Sequence, residues 1–589
     1  MADTVIAALE AAARTHAART AYARKQAGVW RETRWAEYEE LVRSTARGLM
    51  ALGVGPGRNV AILSSNRPEW FLASLGAIAT GGVPAGIYTT SSPEQCEYIA
   101  HHCEAAVVVV ENPGHLETLL ACRERLPHLR AIVLLDGVST AEGVVGWDEL
   151  RRRGEAVDKG ALDARLTALD PEACASLIYT SGTTGPPKAV MISHRNILWV
   201  ARVVVRMLEV VPEDRGLCYL PLSHVAEQNL SLFGPVVAGC ATYFAESVER
   251  VPDNLREVRP SLFFGVPRVW EKMQAALTAG IASARPGRRR LLEWARRLGL
   301  RAGYAAERGE RTPLGMVFAR ALVFSKLRRR LGLDRTRICL VSAAPVARET
   351  LEFFLSLDIP VLEIYGMSEC TGPATVSLSD HHRTGWAGRA LPDSEVRIAE
   401  GDGEVLIRGP HVFLGYFKDE EATRAARDDE GWLHSGDVGE MDGDGYLRVT
   451  DRKKELLVTS GGKKTGPAVL ESRLKQLPGV AQAVVVGDGR NYLAALLTLD
   501  PLRVAAAAAE AGSPALDVSS AAVCPVFRGH LERALEGANA HFARFETIKR
   551  FSVLSSEWSV DGGELTPTLK LKRRVIYKKY EAEIERLYT

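Results

Sequence analysis

The chain has 589 residues and a mass of 64.1 kDa, enough for three to five domains at about 100–200 residues each, or for one large body and a smaller one. Hydrophobic residues make up 46% and charged residues 25%, the composition of a globular enzyme, which excludes a disordered, collagenous or coiled-coil chain. Lys and Arg number 74 against 72 Asp and Glu, a formal net charge of +2, so no nucleic acid is expected as a partner.

The N-terminal stretch MADTVIAALEAAARTHAAR has no basic leader and no small-residue cleavage site after an apolar core, and it predicts an amphipathic helix. The segments NVAILSS (59–65), AAVVVVE (105–111), AIVLLD (131–136) and SLIYTS (176–181) predict strands, and WAEYEELVRSTARGLMALG (35–53) predicts a helix. Nearly continuous apolar strands alternating with helices imply a covered, mostly parallel sheet. The most apolar long window, 71–88, carries four glycines and a proline and predicts a buried helix followed by a strand, not a membrane span.

Residues 281–330 hold thirteen Arg and one Lys against three Glu, 14 − 3 = +11, with Leu291, Leu292, Trp294, Leu298 and Leu300 at helical spacing. This basic amphipathic helical insert reads either as a solvated face or as a surface for anionic lipid headgroups, a peripheral membrane contact. After about Leu447 the texture turns charged and Gly-rich, and a small C-terminal domain is expected over 451–589, leaving 1–450 as the large one. Within it, 504–511 predicts a helix, and Ile576, Tyr580, Ile584 and Leu587 mark a helical stripe in the tail.

Nine scattered cysteines, odd in number and without a CxxC pair, make neither a disulfide framework nor a zinc site and suit free thiols in a reducing, cytoplasmic setting. His101, His102 and Cys103 are adjacent, but no further ligands follow at metal spacing, so no metal is assigned to them.

The most informative segment is YTSGTTGPPKAVMISHRN (179–196). A strand runs into Thr180, Ser181, Gly182, Thr183, Thr184 and Gly185, and Lys188 follows two prolines. Hydroxyls and open backbone N–H groups at this density suit a phosphate cradle, with Lys188 adding a point charge. A Walker A loop would place Ser or Thr after the lysine, whereas Ala189 stands here.

This string resembles the signature loop of the adenylate-forming superfamily, which includes acyl-CoA synthetases, luciferases and adenylation domains. EIYGMSE (363–369), HSGDVG (434–439), YLRVTDRKKEL (446–456) and LTPTLKLKRRVI (565–576) resemble its later elements, in family order and across essentially the whole chain. SNRPEW (65–70), GGVPAGIYTTSS (81–92), PLSHVAEQ (221–228), GVPRVWEKM (265–273) and the basic insert ahead of VSAAPV (341–346) are similar to long-chain fatty acyl-CoA synthetases, nearest the bubblegum type.

The resemblance implies an α/β fold: a large N-terminal domain of mixed sheets wrapped by helices, and a small mobile α+β C-terminal domain. It implies ATP, Mg²⁺ and CoA as cofactor and co-substrates and a long-chain fatty acid as substrate. The 180–188 loop would hold the β- and γ-phosphates, and Thr180 and Glu369 would bind Mg²⁺. Tyr365 would pack on adenine in a pocket shared with Ala343, Ala344, Pro345, Gly366, Met367 and Ser368; Asp437 would accept from the ribose hydroxyls and Arg452 would contact ribose or phosphate. Lys570 would be the mobile catalytic cation, with Lys572 the alternative, and Lys572, Arg573 and Arg574 would be solvated or near CoA phosphates. Asp451 would be the hinge, Gly461 and Gly462 would border the pantetheine channel, and His224 would lie at the carboxylate end of the acyl pocket.

Two departures stand out: Ser368 replaces the commoner Thr, and Ser342 stands where Gly is frequent. The gate tryptophan of some long-chain enzymes would fall near Gln228, so no gate is assigned. Three rivals stay open: an aryl or medium-chain ligase, which the basic insert disfavours; a fatty acyl-AMP ligase serving a carrier protein, disfavoured because no carrier domain follows Thr589; and a non-catalytic ATP- and lipid-binding protein, opposed by the joint presence of Lys188, Glu369, Asp437, Arg452 and Lys570.

Overall fold

A computed structural model describes residues 3–180, 186–460, 463–560, 562–566 and 570–589. Its largest sheet has eight strands, in the order Gly415–Tyr416, Lys188–Ser193, Cys174–Thr180, Pro84–Ile87, Asn59–Leu63, Ala105–Val110, Ala131–Leu134 and Val144–Gly146. The last six run parallel, and Lys188–Ser193 and Gly415–Tyr416 join antiparallel. All six residues of Ala105–Val110 are buried, as a β-branched run requires when helices cover both faces of its sheet. The predicted buried helix is Pro68–Ala79, buried from Trp70 onward, and the strand after it is Pro84–Ile87.

Cys174–Thr180 and Lys188–Ser193 form a hairpin with Thr180 opposite Lys188. Ser193 ends the second strand and caps the helix His194–Met207 by accepting from the Asn196 amide at 3.1 Å. The intervening residues Ser181, Gly182, Thr183, Thr184 and Gly185 lie outside the described residues, as do Gly461 and Gly462.

A second sheet pairs Leu262–Gly265, Ile338–Val341 and Val361–Met367 in parallel, then adds Gly372–Val376 and Arg389–Ala390 antiparallel. A third, wholly antiparallel, orders Glu395–Ile398, Glu404–Arg408, Leu433–Met441 and Leu447–Arg452. Asp451 and Arg452 therefore finish a strand of the N-terminal body. The apolar clusters do not mix across this point: those built on the three-stranded sheet Val480–Val486, Leu493–Leu499 and Ile548–Val553 draw only on residues from Leu457 onward. Charged pairs join the two parts, Arg268 with Glu557, Arg473 with Glu349 and Lys475 with Glu271.

Two sequence expectations change. The tail is two short helices, Arg573–Lys579 and Glu581–Arg586, because Tyr580 leaves helical geometry at φ −112° and ψ 27°. Ile576, Tyr580, Ile584 and Leu587 still meet one apolar cluster. The insert is several helices, the longest Pro286–Glu307, and the fully buried residues of its inward face are Ala295, Gly299, Ala302 and Ala305, flanked by the half-buried Leu292 and Leu298 of the leucine stripe. Small residues are needed there, since a Cβ on Gly299 would lie 2.4 Å from the Ser356 carbonyl oxygen. No helix among the described residues is long and apolar enough to cross a membrane.

Candidate active site

A cavity of about 2020 Å³ lies where the N-terminal sheets face the C-terminal body, larger than the roughly 300–1,000 Å³ of a site for one small ligand. It gathers segments far apart in sequence. Thr180 and Lys188 line it from the mouth of the first hairpin, Tyr365 to Glu369 from the end of a second-sheet strand, and Asp437, Asp451 and Arg452 from the third sheet. The Ala343–Ala344–Pro345 turn, His224 and Lys570 complete its polar lining. Ala343 holds the left-handed φ of 80°, a strained choice for a residue with a side chain.

Asp437 is the hub. Its Oδ2 accepts from the Tyr365 hydroxyl at 2.8 Å and its Oδ1 from Arg452 Nε at 3.1 Å. A carboxylate has about four lone-pair sites, so each oxygen can accept once more. Burial opposes the Arg452 charge, but Asp437, Glu455, Tyr365 and Glu369 outweigh it and hold its pKa above the ordinary arginine value. Glu369 is buried and accepts from the Tyr416 hydroxyl at 2.8 Å. Burial raises its pKa despite Tyr416 and Arg452, so this carboxylate is short of compensating positive charge. Glu369 and Thr180 both line the cavity, and a carboxylate and a hydroxyl are the hard-oxygen donor types that Mg²⁺ takes. Lys188 sits 4.9 Å from the Tyr416 ring centroid and 4.0 Å from Asp419.

Lys570 comes from the C-terminal body. Burial brings its pKa down to about 8, the Arg452 charge adds to the fall, and Asp437, Glu369 and Glu455 oppose it. Lys570 also lies close enough to His224 to help push that imidazole, mainly by burial, down to about 3. His224 is thus neutral, and its Nδ1 accepts from the Ala226 amide at 3.2 Å, which leaves Nε2 as the protonated nitrogen.

Asp451 accepts from the Arg452 amide at 2.7 Å and, across to the C-terminal body, from the Ala468 amide at 2.8 Å; burial raises it to about 6. Arg573 differs from expectation: it is not solvated but largely covered, and although burial opposes its charge, ion pairs with Glu471 and Glu455 outweigh it and hold its pKa high. Lys572 lines the cavity, but its position opens the helix Arg573–Lys579. His102 is engaged with the Tyr179 hydroxyl at 2.9 Å.

The cavity also has an apolar wall. Val200, Ala201, Val204, Val205 and Leu208 line it along and just beyond the helix His194–Met207, a stripe at i, i+1, i+4, i+5 and i+8. Leu217, Leu230, Leu262 and Phe264 also line it. Gln228 is buried and committed at both ends, accepting from Ser176 Oγ at 3.2 Å and donating to the Leu222 carbonyl at 2.9 Å. Sequence reasoning missed Tyr416, which holds Glu369 and faces Lys188, and Glu227, a buried carboxyl that accepts from Ser231 Oγ at 2.7 Å. The π-helical turn Gln228–Phe233 beside Glu227 is a common mark of functional sites, but no sequence motif announces it.

The AMP-binding enzyme family model matches residues 9–417, and the AMP-binding enzyme C-terminal domain matches 454–589. The chain belongs to the AMP-binding enzyme family. It is 39% identical to the long-chain-fatty-acid–CoA ligase ACSBG2 of Xenopus laevis, over 96% of this chain and 81% of that protein. It is 36% identical to the long-chain-fatty-acid–CoA ligase ACSBG1 of Bos taurus, over 96% of this chain and 82% of the relative. These relatives bear out the resemblance to the bubblegum type. Among solved structures, the fold is shared with the anthranilate CoA ligase AuaEII in complex with anthranoyl-AMP, at TM-score 0.75, 19% identity, and coverage of 99% of this chain and 98% of that one. It is also shared with the O-succinylbenzoate Coenzyme A Synthetase of Bacillus subtilis in complex with AMP, at TM-score 0.69, 22% identity, and coverage of 96% and 97%.

Proposed function

We propose that this AMP-binding enzyme is a long-chain-fatty-acid–CoA ligase that forms an acyl-adenylate and then a thioester. The observation that carries the reading is the convergence of Lys570 on the cavity that also holds Glu369, Asp437 and Arg452. The relatives carry that ligase name, and the apolar wall beside His224 suits an aliphatic chain.

In the first step a carboxylate oxygen attacks the α-phosphorus of ATP, a P–O bond forms, and pyrophosphate leaves. Two anions must meet, so positive charge has to stand where negative charge collects. Lys570 supplies it, close enough to Arg452 and His224 to interact with both. The ribose hydroxyls donate to Asp437, which Tyr365 and Arg452 hold in place, and adenine rests against Tyr365 and the Ala343–Pro345 turn. Thr180 and Glu369 would hold Mg²⁺, which neutralises phosphate charge when bound, and Lys188 with the 181–185 loop would hold the terminal phosphates.

In the second step the CoA sulfur attacks the acyl carbon and AMP leaves. A thiol of pKa ~8.5 is partly ionised at neutral pH, so no dedicated base is required. The small domain, which follows the strand Leu447–Arg452, would turn about Asp451, withdrawing Lys570 and bringing the Gly461–Gly462 segment to the channel. Two features support this: the apolar clusters stay separate on either side of Asp451, and the parts meet through ion pairs, as interfaces between domains that move commonly do. The same reading makes the protein cytoplasmic, with its basic insert at a membrane surface. The deciding experiment measures AMP, pyrophosphate and CoA thioester over free acids from acetate to very long chains. Long acids should yield all three. ADP and orthophosphate, no turnover, or an adenylate that never passes to CoA would refute the reading.

A further inference from the structure

We infer that the segment Leu314–Leu322, within the basic insert, is the element that enters the surface of an anionic lipid bilayer. The inference deepens the membrane contact named above and rests on that reading.

The segment starts as the helix Met316–Ala319 and runs through the π-helical turn Arg320–Phe324 into the helix Ser325–Leu331. Its inward side is satisfied: Met316, Ala319, Val323 and Phe324 are buried in one cluster with Ala295 and Ala302 of the long insert helix. Its outward side is apolar as well. Leu314 is 94% exposed, Val317 71%, Phe318 65% and Leu322 51%. Val317, Phe318 and Leu322 project from the helical stretch away from the buried Met316, Ala319, Val323 and Phe324, and Leu314 stands exposed in the turn that leads into it. A helix facing only water carries polar residues there, and scattered single exposures would need no account, whereas a contiguous apolar face marks an interaction site.

Charge identifies what covers it. The insert's carboxylates are few: Glu293 pairs with Arg289 and Glu310 with Arg308, while Arg320 reaches outside the insert to Asp358. Arg288, Arg290, Arg297, Arg301 and Arg311 are exposed, and among the described residues none of them has an ion-pair partner. Trp294 and Leu291, both more than a third exposed, lie on the same long helix as the first four. One insert thus carries both an exposed apolar face and exposed arginines without carboxylate partners, a combination that matches a headgroup layer of negative charge above hydrocarbon, where arginine stems lie along the apolar boundary and the guanidinium groups reach phosphate. A second copy of the chain would bring the same excess of positive charge against itself and is disfavoured on that ground.

The test uses the full-length protein and sedimentation with vesicles of phosphatidylcholine alone or of equimolar phosphatidylcholine and phosphatidylglycerol. The protein should bind the anionic vesicles and leave the neutral ones, and added salt should weaken binding. The variant L314S/V317S/F318S/L322S should lose about tenfold or more in partitioning with an unchanged melting curve, because it alters only exposed side chains. The variant R288Q/R290Q/R297Q/R301Q should lose the preference for anionic lipid. Failure to bind anionic vesicles, equal binding by the serine variant, or a self-association that the serine variant abolishes would overturn the proposal. Thioester formation from detergent-dispersed acid is measured in parallel. Its absence in the wild type would count against the ligase reading alone, and normal activity without vesicle binding would count against this inference alone.

Discussion

Replacing Lys570 with Met separates the chemistry of this lysine from its contribution to the fold. In the structure its pKa falls to about 8 from an ordinary 10.5, chiefly through burial. At about 1.36 kcal/mol per pKa step, holding the ammonium charged costs about 3 kcal/mol. That figure is an upper bound, since part of the side chain faces the open cavity. The folded pKa is depressed, so the unfolded chain binds the extra proton between about 8 and 10.5, and stability rises with pH across that window. Lys570→Met should therefore leave thermal stability at neutral pH unchanged or raised, and should flatten its rise above pH 8. Adenylation, followed by acid-dependent exchange of labelled pyrophosphate into ATP, should fall ~100–1000-fold, the usual cost of removing one positioned transition-state partner. Thioester formation from supplied acyl-AMP should persist. In the wild type, kcat/KM for adenylation should decline as the free enzyme's lysine loses its proton near pH 8, and this limb should be absent from the variant's residual rate. A variant with normal adenylation, or a wild-type profile flat from pH 8 to beyond 10, would refute the reasoning.

Asp437→Asn should weaken ATP binding about tenfold or more, because it removes the charged acceptor that Tyr365 and Arg452 orient; nucleotide titration by calorimetry checks this. Gly366→Ala should cost more than about 2 kcal/mol in denaturant unfolding, since its Cβ would stand 1.8 Å from the Gly372 carbonyl oxygen and force apart the strand that carries Tyr365 and its neighbour Gly372–Val376, on either side of the turn that holds Glu369. Burial pushes Glu227 up to about 7, against hydrogen bonds from Ser231 and Cys218 that favour its charge. Its folded pKa is raised, so the stability it contributes is full below about 4.5 and lost as pH rises through 7. Glu227→Gln should thus match the wild type near pH 4.5 and exceed it at pH 8 by up to about 3 kcal/mol, read from unfolding curves at the two pH values. Val204→Phe, which places a ring on the apolar wall, should shift kcat/KM toward shorter acids, with about 1–3 kcal/mol of discrimination per excluded methylene.

The sequence alone determined the parts whose chemistry is contiguous. The valine run Ala105–Val110 and the buried helix Pro68–Ala79 could be read because β-branching and apolar periodicity act between near neighbours in the chain. Only the tertiary structure decided which of those parts meet. Tyr365 and Asp437 are 72 residues apart and Tyr416 and Glu369 are 47 apart, and no local pattern encodes either hydrogen bond. Arg573 read as a solvated charge because a run of basic residues looks alike whether or not an acid waits elsewhere; Glu471 and Glu455 supplied one. The leucine stripe of the insert had the right period but is split: Leu292 and Leu298 pack against the inward cluster, while close packing against the Ser356 backbone selects glycine and alanine at its centre and leaves Leu291 and Trp294 exposed. Periodicity records that a helix has sides; what each side touches depends on contacts made by residues distant in the chain.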